Sequence, residues 1–227
     1  MNHNKKITLA LICGMLGCLC FGGGDWLMIY GDPAYMGNLS WLTVGATQIP
    51  QWRYSLAMGL AFPGILLYGT ALFAIEAYIT NEKSRKLYHY LNAFGLTPWL
   101  ALHLFYIMIL SLLSWMNSNG YREIALPVCE GLFGNLSWVI LVSEAMMLPV
   151  FIYWFVLQIS GKTIFPKGMA FTNVLFIYGI LKTIQILMPV SAGRLAFTNG
   201  LMSESMIIWF GIMLIYGMVK GKRKKEA

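Results

Sequence analysis

The stretch Gly131–Ile159, GLFGNLSWVILVSEAMMLPVFIYWFVLQI, decides the fold of this chain. Glu144 is the one charged residue within it, and most of the other residues are apolar. An α-helix needs about 20 consecutive apolar residues to cross the hydrocarbon core of a bilayer, so the stretch predicts a transmembrane helix. The whole composition agrees, because 11% of the residues are charged whereas a soluble domain carries about 25%.

Apolar runs of similar length lie on both sides of this stretch. With it, they predict six membrane spans, at Ile7–Tyr30, Tyr54–Ile79, Tyr90–Met116, Gly131–Ile159, Met169–Pro189 and Leu201–Val219. The connections between them are too short to form a separate soluble domain. Residues 1–227 therefore predict a single all-α domain, a polytopic bundle of six transmembrane helices.

The distribution of lysine and arginine predicts the orientation of the bundle. Of the 16 basic residues, three lie in the first, third and fifth connections, at Arg53, Arg122 and Arg194. Lys182 lies within a span, and the other twelve lie in the two terminal segments and the second and fourth connections. Cytoplasmic loops are enriched in lysine and arginine. Both termini are therefore predicted in the cytoplasm, and the long first connection, Gly31–Arg53, outside the cell membrane.

The net charge of +7 does not indicate a nucleic-acid partner. The basic residues form short clusters beside apolar runs, which is typical of anchors at an anionic lipid surface. The lipid bilayer is the predicted partner, together with a small-molecule or lipid ligand. Cys13, Cys18, Cys20 and Cys129 show neither disulfide nor zinc-ligand spacing, and no cofactor or metal is predicted.

Each predicted span contains one titratable acid or base. These residues are Asp25, Glu76, His103, Glu144, Lys182 and Glu204. A charge in mid-membrane costs a few kcal/mol, so such groups are expected to face the bundle interior. Glu76 lies near the inner end of its span, and the other five lie in the middle or outer part. They predict a polar cavity that opens to the extracytoplasmic side.

The predicted ligand-binding residues share the central or outer part of the bundle. They are Asp25, His103, Glu144, Tyr178, Lys182, Gln185 and Glu204, of which Tyr178, Lys182 and Gln185 share one helix face. A purely structural role predicts instead a Glu144–Lys182 ion pair, a pairing of Asp25 with Arg194 or Arg53, and a neutral interior His103.

Three functions remain open from these residues. The first is binding or transport of a small ligand in the polar cavity. The second is an enzyme acting on a lipid or isoprenoid, with His103 and Glu144 as general acid and base. The third is a structural or accessory membrane protein. The motifs of zinc proteases, serine hydrolases and P-loop proteins are absent from the sequence.

The run Gly22-Gly23-Gly24-Asp25-Trp26-Leu27, followed by Gly31-Asp32-Pro33, resembles the opening of an uncharacterised family of bacterial six-span membrane proteins. The likeness extends through most of the chain, including Trp99 to His103 and Gly134 to Trp138. The resemblance implies an integral membrane protein of bacterial origin. It carries over no catalytic residue.

Overall fold

The structure is a computed structural model that describes residues 3–29 and 49–226. Its helices are α1 (His3–Ile29), α2 (Gln51–Ala74), α3 (Glu82–Ser118), α4 (Arg122–Ile159), α5 (Val174–Leu187) and α6 (Ala192–Glu226). Short 3-10 helices cover Ile75–Tyr78 and Lys167–Thr172. The all-α prediction is confirmed for the described part of the chain. Most of the predicted outer connection, residues 31–48, lies outside it.

Five of these helices are long and apolar enough to cross a membrane, and α5 is apolar but has only 14 residues. The predicted fifth span, Met169–Pro189, is not one continuous helix. The chain adopts an extended conformation at Asn173, whose side-chain oxygen accepts a hydrogen bond from the Leu175 amide at 3.0 Å. Capping by asparagine starts a new helix there, which leaves α5 about 21 Å long.

The outer surface of the bundle is apolar. Leu66, Phe94, Leu141 and Ile180 belong to four different helices, and each exposes more than half of its side chain. Large apolar surfaces of this kind are rare on soluble monomers. Together with the long apolar helices, they indicate a multi-pass membrane protein.

The second and fourth connections meet at one end of the bundle. The Thr80 amide donates to the Lys162 carbonyl at 2.9 Å, and the Ile164 amide donates to the Tyr78 carbonyl at 3.0 Å. We call this the lysine end, because Lys83 and Lys167 also lie beside it in the chain. The opposite end is defined by the connections at residues 119–121 and 188–191.

α1 and α2 approach each other closely along a glycine face. A Cβ atom added to Gly17 would lie 2.9 Å from the Cα of Tyr68, so only glycine fits at this crossing. Small residues allow this kind of close backbone contact between membrane helices. Farther along the same interface, Gly24 faces Ala57 in ordinary van der Waals contact.

The helices form two groups that separate toward the opposite end. α1 packs against α2 and α6, and α5 packs against α6. α3 and α4 form an antiparallel hairpin that is joined to the first group through α2 and α3. Ring contacts of Trp154 with Tyr88 (5.5 Å between centroids) and Trp209 (6.0 Å) fill the interior near the lysine end. Beyond them, a cavity separates α4 from α5 and α6.

Candidate functional site

The cavity has a volume of about 880 Å³, and each of the six helices in the described residues contributes to its wall. This volume lies within the range of about 300–1,000 Å³ that is usual for small-molecule sites. α1 contributes its last turns, whereas α2 and α6 contribute residues near their first turns. The cavity therefore occupies the middle of the bundle and the part nearer the opposite end.

Aromatic rings form much of the wall on the α3–α4 side. Trp99 and Tyr106 lie on one face of α3, and Phe133 of α4 stacks on Tyr106 with 6.1 Å between ring centroids and 27° between planes. Tyr178 of α5 lies on the other side of the cavity. Rings on both sides suit a flat or bulky apolar ligand.

Two carboxylates belong to this wall, Asp25 of α1 and Glu144 of α4. The phenol of Tyr106 is close enough to both carboxylates to interact with them electrostatically. Within residues 3–29 and 49–226, neither carboxylate has a hydrogen-bond or ion-pair partner. The two acids therefore face the cavity without a compensating cation from the described chain.

Glu204 of α6 lies beside this site and is held by α1. The indole Nε1 of Trp26 donates a hydrogen bond to its Oε1 at 3.2 Å. A Cβ at Gly200 would lie 3.1 Å from the same oxygen, so the glycine leaves room for the pair. Glu204 is not on the described wall, but its neighbour Ser203 is. Asp25 and Glu204 interact electrostatically, which places a second acid behind the first.

The ion pairs expected from a purely structural role are absent among the described residues. Lys182 is half-buried and forms no ion pair with Glu144. Arg53 donates to the Trp26 carbonyl at 3.1 Å, and Arg194 donates to the Met188 carbonyl at 2.9 Å. Neither arginine is paired with Asp25.

The cavity brings together three of the predicted ligand-binding residues, Asp25, Glu144 and Tyr178. Gln185 is buried, and its Oε1 has no partner among the described residues, but it is not on the described wall. Lys182 is also off that wall. The side chain of His103 lies outside the described part of the structure, so its pairing with Glu144 as acid and base stays a prediction.

Glu76 belongs to a different region. Its carboxylate lies 3.0 Å from His89 Nδ1 near the lysine end, where the His89 side chain is half exposed. Glu76 thus lies at the lysine end of the bundle. Glu76 therefore takes no part in the cavity.

Several residues of the cavity wall were not predicted, because the prediction relied on the titratable side chains within the spans. Trp99 and Tyr106 are seven residues apart on α3, and Phe133, Ser137 and Glu144 follow one face of α4. A search for residues that lie four or seven positions apart, on the same helix face as the acid of their span, would have found Phe133, Ser137 and Glu144. Ser203 has no such signal, because its α6 neighbour Glu204 points elsewhere.

The described residues contain no group of three or more histidine, cysteine, aspartate or glutamate side chains that could hold a metal ion. Asp25 and Glu144 are therefore two acids on the wall of an aromatic cavity, without a third metal-binding side chain beside them among the described residues. Such an arrangement is suited to binding, since an apolar cavity with a few polar groups is the usual form of a ligand site.

Comparison with known proteins gives a family but no activity. No curated protein and no solved structure matches the chain. The match to a family covers residues 1–220 and so includes every helix that forms the cavity. The chain belongs to the Family of unknown function (DUF6796).

Proposed function

We propose that the protein binds or transports a small, mainly apolar molecule in the cavity between its six helices. The observation that supports this proposal is the cavity itself, with a volume of about 880 Å³ and a wall to which each of α1–α6 contributes. Membrane helices with no ligand to accommodate gain van der Waals energy by packing closely. α1 and α2 do so at Gly17, whereas beyond the ring contact of Trp154 with Trp209 the cavity separates α4 from α5 and α6.

We further propose that the chain spans the cell membrane six times, with both termini and the lysine end in the cytoplasm. The positive-inside rule supports this direction. The hydrogen bond between Thr80 and Lys162 supports the placement of two basic connections on one side. In this orientation, the wall formed by Asp25 and Ser203 lies in the extracytoplasmic half of the membrane.

We further propose that the ligand enters from the membrane through the gap between α4 and α5. α5 packs against α6 and leaves the cavity between itself and α4. An apolar molecule dissolved in the membrane reaches the cavity through this gap without crossing water.

A thermal-shift screen with a small-molecule library tests the proposal. The purified protein is unfolded in detergent with each compound, and ligands are expected to raise the midpoint of the wild-type protein. Ala145 lies on the cavity wall, so Ala145→Trp is expected to abolish the shift by filling the ligand's space.

Ala101→Trp is the matched control. Ala101 is exposed on α3 and is not on the cavity wall. It introduces the same side chain on the surface, and it is expected to keep the ligand shifts of the wild type. Ligands that shift all three proteins equally bind elsewhere, and a broad library without any hit contradicts the proposed function.

A further inference from the structure

We propose that the cavity selects a lipophilic organic cation, a protonated amine carried on an apolar body. The proposal rests on the proposed function and names the chemical class of its ligand. It follows from three independent features of the wall: unpaired acids, aromatic faces and one unpaired hydroxyl.

The first feature is the charge of the wall. Asp25 and Glu144 are its acidic side chains, and its described residues include neither lysine nor arginine. Asp25 is half-buried among the helices, and an ionised carboxylate there needs a cation to offset the cost of desolvation. A ligand's ammonium group supplies that cation.

The second feature is the distribution of aromatic rings around the acids. Tyr106 lies near both carboxylates, and Tyr178 lies near Glu144. Phe133 stacks on Tyr106 and extends this aromatic surface. The face of an aromatic ring attracts an organic cation through its quadrupole, and aromatic surfaces with a nearby acid are suited to ammonium groups. An anionic ligand is repelled by the same surface.

The third feature is Ser203, which is 5% exposed and lies on the cavity wall. Serines in membrane helices usually donate to a carbonyl of their own helix. Ser205 donates in this way to Leu201, at 2.6 Å, and Ser143 to Val139, at 2.8 Å. Ser203 has no hydrogen-bond partner among the described residues. Its hydroxyl is therefore free to accept a hydrogen bond from an N–H group in the cavity.

A fluorescent series with one apolar body and three charges tests the selection. The probes are dansylcadaverine, which carries a protonated amine, its N-acetylated derivative, which is neutral, and 6-(dansylamino)hexanoate, which is an anion. Binding is measured from dansyl emission with the protein in nanodiscs of zwitterionic lipid, after subtraction of empty nanodiscs. The cation is expected to bind about tenfold or more tightly than the neutral probe.

The variants are chosen to separate the three features. Asp25→Asn and Glu144→Gln are each expected to weaken the binding of the cation about tenfold and to leave the neutral probe unchanged. Glu82→Gln makes the same change of net charge at an exposed site far from the cavity and is expected to have no effect. Ser203→Ala is expected to weaken the cation several-fold, whereas Ser205→Ala, off the wall, is not.

Failure of this inference differs from failure of the proposed function. Equal binding of all three probes, lost in Ala145→Trp, keeps the cavity as a binding site and overturns the selection of cations. Preference for the anion that disappears in Lys182→Met also overturns it, because Lys182 then sets the charge of the ligand. Absence of binding by every probe contradicts both proposals for ligands of this size.

Discussion

The indole of Trp26 donates a hydrogen bond to Glu204 across the interface of α1 and α6, with 3.2 Å between Nε1 and Oε1. The second oxygen of this carboxylate, Oε2, is buried without a hydrogen-bond partner among the described residues. The indole is therefore the described hydrogen-bond donor that holds this acid next to the cavity.

Trp26→Phe is expected to destabilise the protein by about 0.5–1.5 kcal/mol, the usual worth of a hydrogen bond between membrane helices. The phenyl ring keeps part of the packing area but cannot donate to Glu204. Unfolding in detergent, followed by the remaining tryptophan fluorescence, measures the change. A double-mutant cycle with Glu204→Ala isolates the pair, and additive effects of the two variants would show that the hydrogen bond contributes nothing.

Gly17→Ala is expected to destabilise the protein by about 1–3 kcal/mol, because the added methyl group meets backbone atoms of α2 that cannot move aside alone. The measurement is the thermal midpoint and the monodisperse yield after purification. Gly59→Ala is the matched control, since a Cβ at Gly59 meets nothing within 4 Å. Equal stability of both variants would mean that α1 and α2 are not in this close contact.

Asn173→Ala is expected to cost about 1–3 kcal/mol, because Asn173 is fully buried and makes two hydrogen bonds. Its side chain caps α5 at Leu175, and its Nδ2 donates to the Phe151 carbonyl of α4 at 3.1 Å. Asn173→Ser keeps an acceptor for the cap and should recover part of the loss. Asn119→Ala, at an exposed turn, serves as the control. If serine recovers nothing, the cap at Leu175 is unimportant.

The proposed orientation predicts a difference in labelling at the two ends of the bundle. In a background without the four native cysteines, Asn119→Cys is expected to react with a membrane-impermeant maleimide in intact cells. Lys162→Cys is expected to react only after permeabilisation. Both positions are exposed, so solvent access is matched. The reverse pattern would invert the orientation, and labelling of both in intact cells would contradict the number of spans.

Among the described residues, five of the six predicted spans are each a helix long and apolar enough to cross a membrane, whereas the fifth is broken at Asn173. The cost of leaving polar backbone in lipid favours a helix over each long apolar run. The boundaries do not follow in the same way. α3 begins at Glu82, well before the predicted Tyr90, because Asn81 caps it by accepting from the Ser84 amide at 2.9 Å. Hydropathy locates the part of a helix in lipid, whereas capping residues decide where the helix itself begins.

The first residue of α4 is another helix boundary that hydropathy misplaces. α4 begins at Arg122, well before the predicted Gly131, and the Sγ of Cys129 lies 3.8 Å from the Ile109 carbonyl of α3. Cys129 was predicted to lie outside the spans and Ile109 inside one, yet the two residues are level. The packing of α3 against α4 sets which of their residues lie side by side. Hydropathy locates each span separately and cannot predict this register.

The candidate site was predictable in part. The cost of a charge in lipid predicts that Asp25 and Glu144 face the interior, and in the structure both lie on the wall of one cavity. It specifies depth but not rotation of a helix about its axis, so it did not exclude a pairing of Glu144 with Lys182. The Ser203 hydroxyl can either donate to a carbonyl of α6 or face the cavity. No residue pattern in the sequence indicates which of the two it does.

The hairpin of α3 and α4 is longer than the membrane is thick. Its helices have 37 and 38 residues, about 55 Å each, against a hydrocarbon core of about 30 Å. In a membrane of that thickness, helices of this length extend beyond the hydrocarbon core at one or both ends as a stiff rod, with a tight turn at Gly120 (φ +88°). For a protein of 25.5 kDa, such a rod offers an epitope for an antibody fragment, and the added mass would let electron cryomicroscopy align particles that are otherwise too small.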